Sequence, residues 1–303
     1  MKALITGAGG FVGHHLQRHL EASGDEVIAT DRSTDGLDIL DAAALLDLFR
    51  RSQPQVVYHL AGASDVGGSW QTPQATFRAN AEGTLNVLWA ARETGTERVL
   101  TVGSADVYGK VTSDDLPISE NLDLRPVSPY AASKAAADYV ALQAWLGYDQ
   151  HVVRCRPFNH LGPGQSEKFV APAIAGRVAQ NERNGESVVK VGNLSPKRDF
   201  TDVRDVVRAY RLMLEHGGAG EVYNVCSGTA IAVQELAEQF ISMATIPMRL
   251  EPDPDLQRPV DIPVLLGDNS RLVADTGWSP EIALADTLQD LLDDRRRCLE
   301  TQT

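Results

Sequence analysis

Apolar positions along this chain follow two rhythms that take turns. One is a short, mostly apolar run, as at 2–6 and 56–60; the other is helical spacing, as with Phe11, Leu16 and Leu20. Read in order, the pattern predicts a strand over 2–6, a helix over 14–23 and a strand over 26–30. It continues with a helix over 41–51, a strand over 56–60, a helix over 73–94 and a strand over 98–103. A helix over 128–146 and a strand over 151–156 complete the regular part. Strands alternating with helices imply an α/β fold, a doubly wound parallel (Rossmann) sheet with right-handed crossovers. Ligands of such sheets bind beyond the C-terminal ends of the strands. Gly7, Asp31, Ala61-Gly62, Ser104 and Pro157 all fall there.

The rhythm breaks after Arg156. A Gly/Pro loop at 161–165, a helix over 170–180 and a strand over 188–191 come first. A helix near 203–214 and a strand over 222–225 read as a return to the main sheet. Two further helices, 233–243 and 283–297, flank a Pro-rich stretch from 252 to 263. The expected division is a first domain of 1–157 with a return segment 197–226, and a smaller C-terminal lobe of 158–196 and 227–303 covering the strand ends.

Local chemistry sharpens this outline. The glycines of Gly7-Ala8-Gly9-Gly10-Phe11-Val12-Gly13 sit between a strand and a helix, where backbone can approach a pyrophosphate and a helix N-terminus offers unpaired N–H groups. Asp31 ends the second strand, at the position where a carboxylate accepts hydrogen bonds from an adenosine ribose. A glycine turn with a surface aspartate is the plain alternative, and the strand–loop–helix context argues against it. Ser128 and Pro129 suit a helix start, which places Tyr130 and Lys134 one turn apart on one face. A lysine ammonium there is expected to pull the tyrosine phenol down from its usual value of ~10. Ser104, just after an apolar strand, adds a hydroxyl. Alone, Tyr130 and Lys134 suit an ordinary helical pair equally well; beside a dinucleotide loop they make a proton-transfer set for a sugar or alcohol oxygen.

Composition narrows the partners. The chain has 303 residues, 43% hydrophobic and 23% charged, with a formal net charge of −13. Such a balance argues against a nucleic-acid or anionic-membrane surface, though backbone amides and a few arginines can still bind phosphate. Cys155, Cys226 and Cys298 have no metal or redox spacing, so no metal site is expected, and buried thiols in a reducing cytoplasm are the simplest account. No signal peptide precedes the first strand and no apolar stretch is long enough for a bilayer, which points to a cytoplasmic protein.

With these residues in hand, the chain resembles the extended short-chain dehydrogenase/reductase family, nucleotide-sugar branch, nearly end to end. The matching pieces are Thr6-Gly7-x-x-Gly10-x-x-Gly13, Asp38-Ile39, His59-Leu60-Ala61-Gly62, Asn80 with Gly83-Thr84, and Tyr130-x-x-x-Lys134. Arg156-Pro157-Phe158-Asn159, Arg198-Asp199-Phe200-x-x-Val203-x-Asp205 and Arg258-Pro259 follow. Ser69-Trp70, His160-x-Gly162-Pro163-Gly164-Gln165, Gly192-Asn193-Leu194 and Gly267-Asp268-Asn269 look most like the GDP-mannose branch of dehydratases and 4-keto reductases. The resemblance implies that Gly7, Gly10, Gly13 and the backbone of Phe11 and Val12 hold a pyrophosphate. It gives Asp31 and Arg32 the adenosine ribose, Asp38 and Ile39 the adenine, and Leu60, Ala61 and Gly62 the cofactor wall. Pro157 and Phe158 lie near the nicotinamide, and Lys134 holds its ribose. Asn159, Arg198 and Arg258 meet the sugar nucleotide, the two arginines at its diphosphate. For Arg198 the alternative is an ion pair with Asp199 or Asp202; His160 suits a ligand contact or a loop staple equally.

Within the branch, a 4,6-dehydratase needs an extra carboxylate near C5–C6, carried in the family as a glutamate two residues after the catalytic Ser/Thr. Here the residue is Asp106, one methylene shorter, behind an inert Ala105. A displacement of about 1 Å costs on the order of a hundredfold in rate. Reduction is therefore the expected reaction, with Tyr130 donating the proton, Ser104 steadying the oxygen, and a GDP-4-keto-6-deoxy-D-mannose C4 ketone going to GDP-D-rhamnose; the 6-deoxy-D-talose epimer stays open. A dehydratase or 4-epimerase, or a non-catalytic NAD(P) sensor, are the other readings. Asp31 favours NAD(H), and Arg32 leaves NADP(H) possible. Small residues on the 129–146 helix and the family pattern imply a homodimer.

Overall fold

The computed structural model describes residues 1–256 and 262–301. In its first half the chain runs β1 (Lys2–Thr6), α1 (Phe11–Ala22), β2 (Glu26–Thr30), α2 (Ala42–Ser52), β3 (Val56–His59), α3 (Pro73–Phe77) and α4 (Gly83–Glu93). It continues through β4 (Arg98–Val102), α5 (Pro129–Tyr148) and β5 (Val152–Pro157). The second half contains β6 (Asn159–Leu161), α6 (Val170–Asn184), β7 (Val188–Val191), β8 (Lys197–Asp202), α7 (Val203–His216) and β9 (Val222–Val225). It ends with β10 (Ala230–Ala232), α8 (Val233–Ser242), β11 (Arg249–Pro252), β12 (Val264–Leu265), α9 (Ser270–Thr276) and α10 (Leu284–Glu300).

Six strands form one parallel sheet in the order β2-β1-β3-β4-β5-β9. Its inner strands β3 and β5 are buried at every position, as strands covered on both faces must be. On one face α1 and α7 pack Leu16, Leu20, Val206, Tyr210 and Met213 against it, together with Trp278. On the other, α2, α4 and α5 contribute Leu45, Phe49, Val87, Leu88, Ala141 and Ala144. Each fully buried leucine there contributes roughly 1.5–3 kcal/mol, so truncating Leu16 or Leu88 to alanine would cost about 2–5 kcal/mol.

Local signals set the helix ends. The Ser128 side chain accepts from Ala131 N at 3.1 Å and Pro129 opens α5, while Asp41 accepts from Ala44 N at 3.0 Å to start α2. The helix expected over 73–94 is continuous but not uniform: residues Arg78–Glu82 make one wider, five-residue turn between α3 and α4. Asn80 lies in that turn, which swings its amide toward the strand ends.

The return segment expected at 197–226 divides. α7 and β9 rejoin the large sheet, but β8 is the centre of a second sheet, antiparallel to β10 and parallel to β12 and β6. β7 and β11 form a separate parallel pair. Behind the second sheet α6, α8 and α10 bury Ile174, Val178, Leu236, Phe240, Leu288 and Leu291. A small apolar cluster of Tyr108, Ile118, Phe158, Cys226 and Leu265 joins the two sheets just below the strand ends.

Candidate active site

The glycine loop is shaped by contact with its neighbour strand. Gly7 has φ +78°, and a Cβ there would stand 2.6 Å from the Ala61 nitrogen, so no other residue fits. Gly10 precedes α1 in an extended conformation and no side chain caps the helix, which leaves the first-turn N–H groups of Phe11, Val12 and Gly13 for an outside acceptor. Asp31 faces this loop, and its Oδ1 accepts from Ser33 N at 2.7 Å and Ser33 Oγ at 2.6 Å. Arg32 beside it is exposed. The Asp38 carboxylate accepts from Leu40 N at 2.9 Å, and the Ile39 carbonyl accepts from Asn86 at 3.0 Å, which fixes that pair against α4. Leu60, Ala61 and Gly62 leave β3 along the same crevice, with Leu60 N bonded to the Thr6 carbonyl at 3.0 Å. An uncapped helix end, a carboxylate across from it and a glycine-lined wall fit a dinucleotide.

A buried polar cluster sits beneath that wall. The Thr84 hydroxyl donates to the Asn80 carbonyl at 2.6 Å, so its bond with His59 Nε2, at 3.0 Å, must be donated by the histidine. His59 Nδ1 is then an acceptor, for Thr6 Oγ1 at 2.8 Å. Burial, with the nearby Lys134 charge added, pushes His59 down to about 3 and keeps it neutral. The Asn80 side chain accepts from Ala63 N at 2.8 Å and donates to Ser133 Oγ at 2.8 Å, tying the crevice wall to α5. Asn80 was visible in the sequence as part of a motif, but its role as a hub depends on the wide helical turn, which sequence does not announce.

Tyr130, Lys134, Ser104 and Asp106 meet at the ends of β4 and the start of α5. Ser104 begins a short turn, Ala105–Tyr108, and its Oγ accepts from Asp106 N at 3.2 Å. The turn closes at Gly109, φ +66°, where the Arg125 carbonyl lies against the Cα and excludes any side chain. Ser69, buried in the loop after β3, accepts from Tyr130 N at 3.2 Å. Lys134 Nζ donates to the Val102 carbonyl at 2.9 Å and lies beside Gly62.

The electrostatics correct one expectation. Lys134 does not draw the Tyr130 phenol down; burial raises the phenol above its usual value, the Asp106 carboxylate raises it further, and the Ser104 hydroxyl opposes them. Tyr130 is therefore a protonated donor near neutral pH. Lys134 itself, 8% exposed, is pushed by burial down to about 8. The site holds a proton on tyrosine and a weakened, buried cation one turn away.

The sugar side is only partly as expected. Asn159 is exposed on β6, in register with Phe200 of β8. Arg198, half-buried on β8, donates to the Lys197 carbonyl at 2.9 Å and the Ile262 carbonyl at 2.6 Å. The acids proposed to pair with it are engaged elsewhere: Asp202 binds Arg204 at 2.7 Å, and Asp199 accepts from Ser227 N, Ser227 Oγ, Gly228 N and Gly267 N. Arg258 lies outside the described residues. Pro157 ends β5 in register with Val225. Phe158 is 3% exposed and packs toward Tyr108, Cys226 and Leu265. His160 turns out to be a staple: Nδ1 donates to the Phe158 carbonyl at 3.0 Å and the ring stacks parallel to Phe11 at 6.2 Å.

This geometry has counterparts among known proteins. Residues 3–226 match the model of the NAD dependent epimerase/dehydratase family. A GDP-6-deoxy-D-mannose reductase of Pseudomonas aeruginosa is 38% identical over 97% of this chain and 96% of its own. A GDP-mannose 4,6-dehydratase of Sinorhizobium fredii is 29% identical over 82% of this chain and 76% of its own. The structure of RMD from Pseudomonas aeruginosa complexed with NADPH superposes with a TM-score of 0.91 at 36% identity, covering 98% of this chain and all of the other. The family match over residues 3–226 and the whole-chain likeness to a reductase place the protein: it belongs to the NAD dependent epimerase/dehydratase family.

Proposed function

We propose that the protein reduces the C4 ketone of GDP-4-keto-6-deoxy-D-mannose, with NADH or NADPH, to GDP-D-rhamnose. The observation that carries the reading is Tyr130: buried, protonated, beside Ser104, and accompanied by an aspartate where elimination calls for a longer acid. The whole-length likeness to a GDP-6-deoxy-D-mannose reductase supports it. A bound nicotinamide supplies the hydride. The N–H groups at the start of α1 and the backbone of Gly7, Gly10 and Gly13 would hold its pyrophosphate, Asp31 its ribose, and Lys134 the second ribose near Gly62. Tyr130 delivers its proton to the oxygen that was the ketone, and the Ser104 hydroxyl steadies that oxygen while charge develops. Segments 158–196 and 227–303 hold the sugar nucleotide, with Asn159 and Arg198 at its edge and Arg258 assigned by motif.

We also read the protein as a homodimer. Phe77, Leu85 and Tyr139 are 49%, 49% and 58% exposed on the packed helices α3, α4 and α5, a face that a second copy would cover. A monomeric mass by light scattering at micromolar concentration would exclude this. Among the described residues no helix is long and apolar enough to cross a membrane. The free thiols Cys155, Cys226 and Cys298 support a reducing cytoplasm as its location.

The deciding experiment supplies GDP-4-keto-6-deoxy-D-mannose with NADH or NADPH and follows loss of reduced-cofactor absorbance, with the product identified by NMR. Turnover with formation of the rhamno product is expected. No consumption of either cofactor would overturn the assignment.

A further inference from the structure

A chain of buried polar groups runs behind the Ser104 and Tyr130 hydroxyls and touches neither. It starts on α5 at Asp138, one turn past Lys134 and two past Tyr130. Asp138 Oδ2 accepts from Arg156 Nη2 at 2.6 Å and from Arg154 Nη1 at 3.1 Å. Arg156 Nη1 donates on to Tyr108 Oη at 3.0 Å, and Tyr108 Oη donates to Asn224 Oδ1 at 2.7 Å. Asn224 then donates from its backbone to Glu120 Oε1 at 2.8 Å and from Nδ2 to the Ile118 carbonyl at 2.8 Å. Tyr108 and Asn224 have no exposure, Arg156 has 4% and Asp138 has 5%.

Stability alone is a poor reason for this arrangement. Two guanidinium groups share one carboxylate, and buried ion pairs of this kind are commonly replaced by apolar residues without loss. What the chain does uniquely is geometric. Asp138 belongs to the helix that carries Tyr130 and Lys134. Tyr108 is the last residue of the turn that begins at Ser104 and contains Asp106. Asn224 belongs to β9, and the Ile118 backbone it holds also bonds Leu266 and Asp268 beside the second sheet. Tyr108 Oη is where the three meet, because it accepts from the arginine and donates to the asparagine. The Arg156 guanidinium also lies over the Tyr108 ring, 5.2 Å from its centre.

We propose that Tyr108 is a positioning residue: its hydroxyl holds the Ser104–Asp106 turn against α5 and so sets the separation of the Ser104 and Tyr130 hydroxyls. The turnover part of this idea rests on the reductase reading above; the positioning part does not.

Tyr108→Phe tests it by removing one oxygen and keeping the ring. The folded variant is expected to lose about 10–100-fold in kcat, the scale of a misplacement near 1 Å. KM and cofactor Kd should stay within about threefold, because no group that faces the crevice has changed. The solvent deuterium isotope effect on kcat should rise, as proton delivery from Tyr130 becomes the slow step. Arg156→Lys, which keeps the charge at Asp138 but cannot fork onto Tyr108, should reproduce the loss. A crystal structure of Tyr108→Phe should show Ser104 Oγ displaced from Tyr130 Oη relative to the wild type. The proposal is overturned if both variants keep kcat within twofold, if kcat falls only with the folded fraction, or if Tyr108→Phe cannot fold, since the hydroxyl would then be scaffold. If the wild type does not reduce the GDP-sugar, the functional reading fails separately, and an unmoved Ser104 in the variant crystal would still refute the positioning role.

Discussion

Lys134→Met should make the ligand-free protein more stable at pH 7 while disabling it. The wild-type ammonium is 8% exposed, donates to the Val102 carbonyl at 2.9 Å, and has no carboxylate partner among the described residues. Burial lowers it from 10.5 to about 8. At about 1.4 kcal/mol per unit, the charged form is disfavoured in the fold by roughly 3 kcal/mol. The sign follows from proton counting. Below pH 8 both folded and unfolded chains hold the proton, and the penalty is complete. Between about 8 and 10.5 the unfolded chain binds one more proton, so wild-type stability rises with pH; above that the penalty is gone. Methionine has similar length and no charge, but it strands the Val102 carbonyl, which takes back about 1 kcal/mol. A net gain of about 2 kcal/mol corresponds to about 3 °C in Tm for a chain of this size. Differential scanning calorimetry of both proteins at pH 7, 9 and 10.5 would measure it, with the difference shrinking as pH rises. A variant less stable than wild type at pH 7, or a difference that ignores pH, would refute the reasoning. Cofactor affinity and kcat should both fall in the variant.

Four further outcomes are expected. Tyr130→Phe should lower kcat by about 10²–10⁴ with substrate and cofactor binding nearly kept, and Ser104→Ala should cost less; rapid-mixing kinetics beside equilibrium titration separates the two. Since Tyr130 sits above the ordinary phenol value, its own deprotonation should add no falling limb to a pH–rate profile below about pH 10, and a fall above about pH 8 is expected from Lys134 instead. GDP-D-mannose with NAD(P)+ alone should not yield the 4-keto-6-deoxy sugar, because Asp106 is short and Ala105 inert; mass spectrometry finding that product at about 1 turnover per second or faster would make the protein a dehydratase. Asp31 should favour NADH, and a kcat/KM at least about tenfold higher with NADPH would show that its carboxylate, already bonded to Ser33, does not repel a 2′-phosphate.

The parts legible in the sequence were those whose cause is local. A glycine loop, a Ser-Pro helix start and an apolar run carry their geometry in consecutive residues, so β1, α1, α5 and the strand ends holding Ser104 and Asp31 were readable. The second sheet was not, because β6, β10 and β12 are two or three residues long, too short to show a period, and β8 reads Lys-Arg-Asp-Phe-Thr-Asp. Its burial comes from neighbours distant in the chain. The same holds for charge. Asp138, Arg156 and Asp199 look like surface residues in the sequence and are buried because partners far away bond them. The Tyr130 shift runs opposite to the sequence expectation for that reason: spacing along a helix reveals a lysine one turn off, but not the desolvation that outweighs it.

The strand order has a consequence for how the chain is made. β5 acquires its outer partner, β9, only after about 65 further residues have been added, and those residues must lay down β6, α6, β7, β8 and α7 first. At about 5–20 residues per second, a ribosome leaves that edge open for roughly 3–13 s. During that interval the nascent chain displays an unpaired strand edge of the kind that recruits other chains. Release of a fragment ending before residue 222 should therefore give aggregates instead of a free half-molecule, and synthesis of the whole protein should benefit from a holdase during that window.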